Sequence, residues 1–330
     1  MVQTMTTKTT PQQFGCLGLE KAESCLLCGN RKLRHKFDVR HITSDALHAW
    51  ATEQGFPSAP IAACQDCGFL FKSVRPSIGY LDERYSRLDG TYMQRLAEDW
   101  ISYREDYRIA REILRKALPG GGSILDVGCA SGFFLESLGE TWQRHGLEIS
   151  HLAAQLAKER KGIVVHECDI ASAKFSDASF DAVCSFDVVE HLAEPMAFFR
   201  EARRVLKPSG LLLLGTGDAG SLGARLSGNR WTYLCIPEHI SFFSRRSLGT
   251  GLRTAGFSHV AIERIHHGER NMSVAIGWLR AAGKHWAIAI CGERIIRLKL
   301  FRHKSTEFLV PYFLDHLLCT ASGETAGISG

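Results

Sequence analysis

The sequence predicts an α/β protein: a doubly wound parallel sheet, a small N-terminal lobe bearing cysteine pairs, and a helical linker between them. Two observations carry this. From residue 123 to about 265, short apolar runs alternate with helical patterns, as in successive βα units. Upstream, CLLCG (25–29) and CQDCG (64–68) repeat one C-x-x-C-G spacing. The chain divides into a tail (1–20), a cysteine lobe (21–75), a linker (76–118), an α/β domain (119–265) and a C-terminal extension (266–330). With 330 residues, 45% of them hydrophobic, there is material for one large domain and a smaller one.

The opening MVQTMTTKTTPQQ is polar and Thr-rich, the composition of a disordered tail rather than of a secretory leader. No run approaches the roughly 18 consecutive apolar residues of a membrane helix. Both features point to the cytoplasm. The net charge of +5 is mild, and the basic residues form no aromatic-interleaved stripe, which disfavours nucleic acid as a partner.

There are 11 cysteines, and without a leader a disulfide framework is the weaker reading. Cys129, Cys184, Cys235 and Cys291 sit in apolar runs and read as small buried hydrophobes. Cys16 receives no role. Cys25, Cys28, Cys64 and Cys67 differ, because four thiolates in two knuckles suit tetrahedral zinc. Four protein ligands close the coordination shell, so the ion is expected to be structural. Between Cys28 and Cys64 lie 35 residues, more than the usual ribbon spacing of about 15–20. An insertion therefore separates the knuckles, and its His35, His41 and His48 are expected to face solvent.

In the linker, Tyr, Trp, Ile and Leu recur at three- and four-residue steps, the pattern of an amphipathic helix. PGGG (119–122) ends it. Strands follow at 123–128, within 142–149, at 162–170, within 180–191 and at 210–218. Helices are expected at 132–139, after Ser150 as N-cap, and at 194–206, ending before Lys207-Pro208. Apolar strands such as LLLL and AVCSF suit a sheet covered on both faces.

The loop after the first strand, ILDVGCASG (124–132), narrows the cofactor. A dinucleotide turn reads GxGxxG; counted from Gly128 it calls for glycine at 130 and 133, where Ala130 and Phe133 stand. A P-loop pattern is absent. What remains is an acid, Asp126, two residues before Gly128, with Gly132 closing the loop. The methyl group of Ala130 is expected to keep the backbone there at negative φ.

On these residues the chain resembles the class I S-adenosylmethionine-dependent methyltransferases over about residues 120–262. The resemblance implies their Rossmann-like sheet and their cofactor. ILDVGCASGFFL looks like their first motif, placing Asp126, Gly128, Ala130, Gly132 and Phe133 at the cofactor. Glu148 stands where the family has an acid for the ribose hydroxyls. Asp169, with Ile170, stands where it has an acid near the adenine amino group. FDAVCSFDVVEHLAEP, which contains Phe186, looks like the fourth-strand motif, and VLKPSGLLLLGTGD like the fifth-strand entry. The chemistry agrees: one carboxylate accepts from two vicinal hydroxyls, and acids suit an ammonium and a sulfonium where phosphates are repelled.

Two CxxCG pairs, an apolar stretch, a Tyr-rich helix and this core together resemble a bacterial family of sugar C-methyltransferases and natural-product methyltransferases. That likeness implies a zinc lobe and linker helices covering the cleft. It also implies a small-molecule acceptor, such as a nucleotide-linked sugar, methylated on carbon or oxygen. Those enzymes assign a base to a histidine in an EH pair after the fifth strand, matched here by Glu238-His239. They carry a tyrosine three residues earlier, where this sequence has Ile236. Tyr233 or, in the linker, Tyr92 then stands as the source of a phenol. His191, in VVEHL, is a second histidine at the cofactor rim.

The family also finishes its sheet with a sixth strand and an antiparallel seventh. GFSHVAIERI (256–265) suits the sixth. The seventh is expected at NMSVAIG (271–277), or to be missing. ERIIRLKLFRHK (293–304) is basic and reads as a packed helix with a solvated face, with membrane contact as the alternative. Two rival functions remain. One is a zinc-dependent RNA- or protein-binding module with a vestigial core, against which Asp126, Glu148 and Asp169 count. The other is an RNA methyltransferase, against which the mild charge counts.

Overall fold

The computed structural model describes residues 19–41, 56–77, 79–80, 104–265 and 315–323. The N-terminal lobe is made of β-structure. β1 (Leu19–Lys21), β2 (Leu33–Arg40), β3 (Ser58–Cys64), β4 (Leu70–Lys72) and β5 (Val74–Pro76) form it, β1 pairing with β5, and β2, β3 and β4 in one antiparallel run. The insertion between the knuckles is the β2–β3 hairpin. His35 is exposed in it as expected, but His41 is buried, its Nδ1 2.7 Å from the Phe56 carbonyl oxygen. His48 lies outside the described residues.

Of the linker, residues 76–77, 79–80 and 104–118 are described, and the last of these stretches holds α1 (Glu105–Ala117). Ala110 and Leu114 bury one face of it, and Glu105 and Asp106 suit the positive end of its dipole. The glycine stretch then turns the chain into the sheet. β6 (Gly122–Val127), α2 (Phe133–Glu136), β7 (Trp142–Leu147), α3 (His151–Lys158), β8 (Ile163–His166) and β9 (Phe180–Phe186) follow, then α4 (Pro195–Val205) and β10 (Leu206–Gly217). The Ser150 hydroxyl accepts from the Ala153 amide, as an N-cap does, and Pro195 opens α4.

Beyond β10 come α5 (Leu222–Ser227), α6 (Thr232–Cys235), β11 (Ser241–Phe242), α7 (Arg245–Thr254), β12 (His259–Ile265) and β13 (His316–Ser322). The central sheet has seven strands in the order β12-β13-β10-β9-β6-β7-β8. β13 runs antiparallel between β10 and β12, from Leu211 opposite Ser322 to Gly217 opposite His316. It is the seventh strand. The expectation that this strand lies at 271–277 or is missing is corrected: HLLCTAS supplies it, covering the edge of β10 and leaving β12 as the outer strand of the sheet. Residues 271–277 and 293–304 lie outside the described residues.

Two apolar layers cover the sheet. α1, α2 and α3 pack on one face through Ala110, Leu114, Phe134 and Ala157. α4 and α7 pack on the other through Phe199, Ala202, Leu248 and Leu252. The cysteine lobe joins this second layer through Leu27, Phe69 and Phe71. At about 1.5–3 kcal/mol per fully buried Leu or Phe, these layers hold lobe and domain together. β11 strengthens the join by pairing with β4, so a segment from the α/β domain becomes the edge strand of the lobe's sheet. Among the described residues, no helix is long and apolar enough to cross a membrane.

Candidate active site

The site forms at the carboxyl ends of β6, β7, β9 and β10, where open α/β sheets hold ligands. Its first half follows β6. Gly128 and Gly132 take φ of 75° and 79°, and Ala130 takes φ of 48°. The expectation of negative φ at Ala130 is corrected. The Ala130 amide donates to Glu148 Oε2 at 3.0 Å, and the left-handed turn presents it there. Glu148 Oε1 accepts from the Ser150 amide at 2.7 Å, so one carboxylate ties the loop to the entry of α3.

Below the loop, Asp126 is 3% exposed, and its Oδ1 has no hydrogen-bond partner among the described residues. Burial, then the nearby Glu148 carboxylate, push its pKa up to about 8 against the pull of Arg104. A cation placed here satisfies the orphan oxygen and restores the charged form. Burial likewise raises the Glu148 pKa, against the backbone amides that bind it. The donor set therefore fits the ammonium and ribose end of S-adenosylmethionine. Asp126 and Glu148 would hold it, with the Gly128–Gly132 loop as the cradle.

The other cofactor candidates are placed as follows. Asp169 is exposed and accepts from the Ser172 amide at 2.7 Å and its hydroxyl at 3.1 Å, while Ile170 beside it is buried. The Phe133 ring lies under the Arg160 guanidinium at 3.5 Å. The Phe186 ring joins Tyr107 and Phe134, all at 4.9–5.0 Å, as a wedge below the strand ends.

The second half gathers polar side chains from distant segments. Glu190, wholly buried, accepts from Thr216 Oγ1 at 2.9 Å and from the Tyr233 hydroxyl. The Tyr233 hydroxyl also accepts from the Gly217 amide at 2.9 Å. A Cβ at Gly217 stands 2.5 Å from the Tyr233 ring, so only glycine lets the ring settle on the strand. The ring then packs at a tilt against His239, centroids 4.2 Å apart, and the His239 imidazole meets His191 edge-on at 4.6 Å. The nearest polar atoms of Glu190, His191 and His239 lie within 4.8 Å of one another.

The tautomer of His239 follows from its partner. Its Nδ1 lies 3.0 Å from the Tyr233 carbonyl oxygen, which only accepts. The proton therefore sits on Nδ1, and Nε2 carries the lone pair. Burial, then the neighbouring His191 and Lys72, hold His239 well below the ordinary imidazole value, so it stays neutral. Burial lowers His191 as well, against Glu238 and Asp187. Burial and Asp187 push Glu190 up to about 7, opposing the hydrogen bonds from Tyr233 and Thr216.

Three contributors were not singled out in the sequence. Asp187 sits at φ 55° at the end of β9, its carboxylate 2.9 Å from Arg104 and 3.8 Å from His316. His316 opens β13; burial lowers its pKa, but Asp315 and Asp187 outweigh that and hold it above the ordinary value. Lys72 is a buried ammonium in β4, donating to the carbonyls of Ile236 and Pro237 at 2.6 and 3.2 Å. A lysine inside the apolar run GFLFKSV was the one sequence signal for it. Tyr92 lies outside the described residues.

In the N-terminal lobe the cysteine quartet closes as the spacing implies. The Sγ atoms of Cys25 and Cys67 lie 3.6 Å apart, and those of Cys28 and Cys64 lie 3.5 Å apart. A disulfide needs about 2.05 Å. Tetrahedral zinc with bonds of about 2.3 Å sets its sulfurs roughly 3.8 Å apart, so the quartet fits that ion. Each knuckle turns on a glycine: Gly29 and Gly68, at φ 72° and 73°, donate back to the Cys25 and Cys64 carbonyls. Of the cysteines expected in the core, Cys129 and Cys184 are buried, while Cys235 is only half-buried; Cys291 lies outside the described residues.

Comparison with known proteins agrees with this geometry. Residues 100–262 match the family described as a methyltransferase domain. A ubiquinone biosynthesis O-methyltransferase of Cereibacter sphaeroides is 28% identical over 130 residues, 36% of this chain and 51% of that protein. A probable S-adenosylmethionine-dependent methyltransferase of Mycobacterium tuberculosis is 30% identical over 150 residues, 44% of this chain and 53% of that protein. The chain thus spans about half the length of these curated relatives. Phosphoethanolamine N-methyltransferase 2 of Haemonchus contortus, solved with S-adenosyl-L-methionine, superposes with a TM-score of 0.51. That match covers 88% of this chain and 69% of that one at 17% identity, and it shows the fold alone. With the seven-strand order and the glycine loop, these matches identify residues 100–262 as a class I S-adenosylmethionine-dependent methyltransferase domain.

Proposed function

We propose that the protein transfers a methyl group from S-adenosylmethionine to a small-molecule acceptor, with His239 taking the acceptor's proton. The observation that carries this is the orphan Oδ1 of the buried Asp126 beneath the glycine loop, a carboxyl group that a bound cation would return to its charged form. When bound, the cofactor supplies an electrophilic methyl group on a sulfonium. The chain's own residues do the rest. Glu148 binds the ribose hydroxyls, Asp169 with Ile170 borders the adenine, and Tyr233, Glu238 and His191 pack around the base. A nucleotide-linked sugar or a natural-product intermediate, methylated on carbon or oxygen, is the acceptor class. The O-methyltransferase name of a matched relative supports oxygen.

The quartet of Cys25, Cys28, Cys64 and Cys67 holds a structural zinc ion in this reading, which goes with a reducing, cytoplasmic setting. One further observation supports an auxiliary route for the proton: Glu190, pushed up to about 7, is hydrogen-bonded to the Tyr233 phenol beside His239. Titration calorimetry tests the core of the proposal. The protein is expected to bind S-adenosylmethionine, and Asp126→Asn to bind it about 10- to 100-fold more weakly, the effect of a charged hydrogen bond of about 1.5–3 kcal/mol. A folded protein that binds no cofactor instead favours an RNA- or protein-binding module with a vestigial core. With labelled cofactor and a panel of acceptors, His239→Ala is expected to lose turnover while keeping cofactor affinity; unchanged turnover removes His239 from the mechanism.

A further inference from the structure

We propose that Lys72, carried by the cysteine lobe, is the positioning residue for His239: its buried ammonium fixes the turn that orients the imidazole and sets its tautomer. The functional weight of this rests on His239 as the base, whereas the positioning itself does not. Lys72 is fully buried at the end of β4. Its Nζ donates to the carbonyls of Ile236 at 2.6 Å and Pro237 at 3.2 Å. The Ile236 carbonyl also accepts the backbone amide of His239, at 3.2 Å. One oxygen thus joins the lysine to the backbone that bears the imidazole. The Lys72 amide donates to the Ile240 carbonyl at 2.9 Å, and β11 then pairs with β4. The turn from 236 to 242 is therefore clamped on both sides of His239 by a single strand of the N-terminal lobe.

A buried ammonium is costly without strong acceptors, and a core position has many cheaper occupants. Two carbonyls from one turn are what this one has found. The turn they clamp carries His239 with its Nδ1 3.0 Å from the Tyr233 carbonyl oxygen, which leaves Nε2 as the acceptor. The charge also acts directly: a cation beside an imidazole disfavours the imidazolium. Burial brings Lys72 down to about 7 against the pull of Glu238 and, more weakly, Cys235, so its charge is itself adjustable near neutrality. The groups that share this field are Asp187, Glu190 and His191 after β9, Tyr233 and Glu238 on the base segment, and His316 of β13.

The test reads the imidazole, so it needs no acceptor. The full chain, loaded with zinc and labelled with nitrogen-15 in histidine, is titrated by NMR, with His239→Gln assigning the resonances. In the wild type, His239 is expected to hold the Nδ1–H tautomer from pH 5 to 8. Lys72→Met is expected to mix the two tautomers and to raise the His239 midpoint by about one pH unit or more, with S-adenosylmethionine affinity unchanged. Lys72→Gln, which keeps a donor without the charge, is expected to hold the tautomer and still raise the midpoint. Should Lys72→Met lose cofactor binding, Lys72→Gln decides alone. A His239 midpoint and tautomer identical to wild type in a folded Lys72 variant overturn the proposal. Failure of His239 as the base appears elsewhere, as turnover retained by His239→Ala.

Discussion

The crevice proposed for the cofactor and the pocket around His239, the proposed base, share the same end of the sheet, yet they are assembled differently. The crevice is local: Asp126, the Gly128–Gly132 loop, Glu148 and Ser150 belong to one βαβ unit. Its hydrogen bonds run mostly to backbone amides, so its shape follows from chain geometry. The pocket is non-local: Lys72, Asp187 with Glu190, Tyr233 with His239, and His316 arrive on four different segments. Its hydrogen bonds run side chain to side chain or from side chain to distant carbonyl, so its shape depends on the whole assembly. A site built this way keeps its binding function robust and leaves its chemistry sensitive to remote parts of the molecule.

Four perturbations would break or sharpen that contrast. The largest is removal of the ion expected at the cysteine quartet, since structural zinc contributes on the order of 10 kcal/mol or more to such lobes. Chelation, or Cys64→Ser, is expected to abolish hydrogen-exchange protection in β2–β4 and to end turnover, with cofactor binding retained. Loss of cofactor binding on chelation would show that the two regions are not separable.

Next is the pH dependence of Glu190. Its folded pKa lies above the ordinary carboxylate value, so its contribution is present below about 4.5 and is lost as pH rises through about 7. Wild type is therefore expected to lose stability across that window by up to about 3 kcal/mol relative to Glu190→Gln. Parallel denaturant midpoints from pH 4.5 to 7.5 would remove the group from the pocket's energetics.

Gly217→Ala comes third. The added methyl group meets the Tyr233 ring at 2.5 Å, and overpacking of that kind costs about 1–3 kcal/mol. Calorimetry is expected to find cofactor affinity intact while the near-ultraviolet signal of Tyr233 changes. The smallest effect is in the crevice. Ala130→Gly relieves a left-handed alanine at φ 48° and is expected to stabilise by about 1 kcal/mol, read as a Tm rise of a few degrees. A fall in Tm would mean that the alanine methyl group makes contacts worth more than its strain.

The same contrast decides what could be read from sequence. The glycine loop, its acids and the knuckle spacing are short-range patterns, and each was legible because neighbours in sequence are neighbours in space. Ser150 and Pro195 announced their helices for the same reason. The pocket was legible only where a pair such as Glu238-His239 lies within one segment. Lys72 showed only as a lysine inside an apolar run, and Asp187 and Glu190 carry no local pattern that marks them as pocket residues. His316 was hidden because the strand it opens follows 50 residues after β12, too far for periodicity to connect them. Ala130 was misjudged for a different reason. Local preference argued against a left-handed alanine, but a tertiary hydrogen bond to Glu148 outweighs it.

The insertion of β13 between β10 and β12 also sets an order of assembly. Sequential strands can pair as soon as they meet, whereas this one must close a long loop first, and loop closure is the slow part of non-local pairing. Until it docks, β10 and β12 each expose a row of amides and carbonyls to any extended chain nearby. The register that accepts residues 316–322 has no means of telling its own copy from a neighbour's. At high concentration during refolding, two molecules exchanging this strand would each complete the other's pocket, His316 included, and the resulting pair would be a dimer made entirely of native contacts.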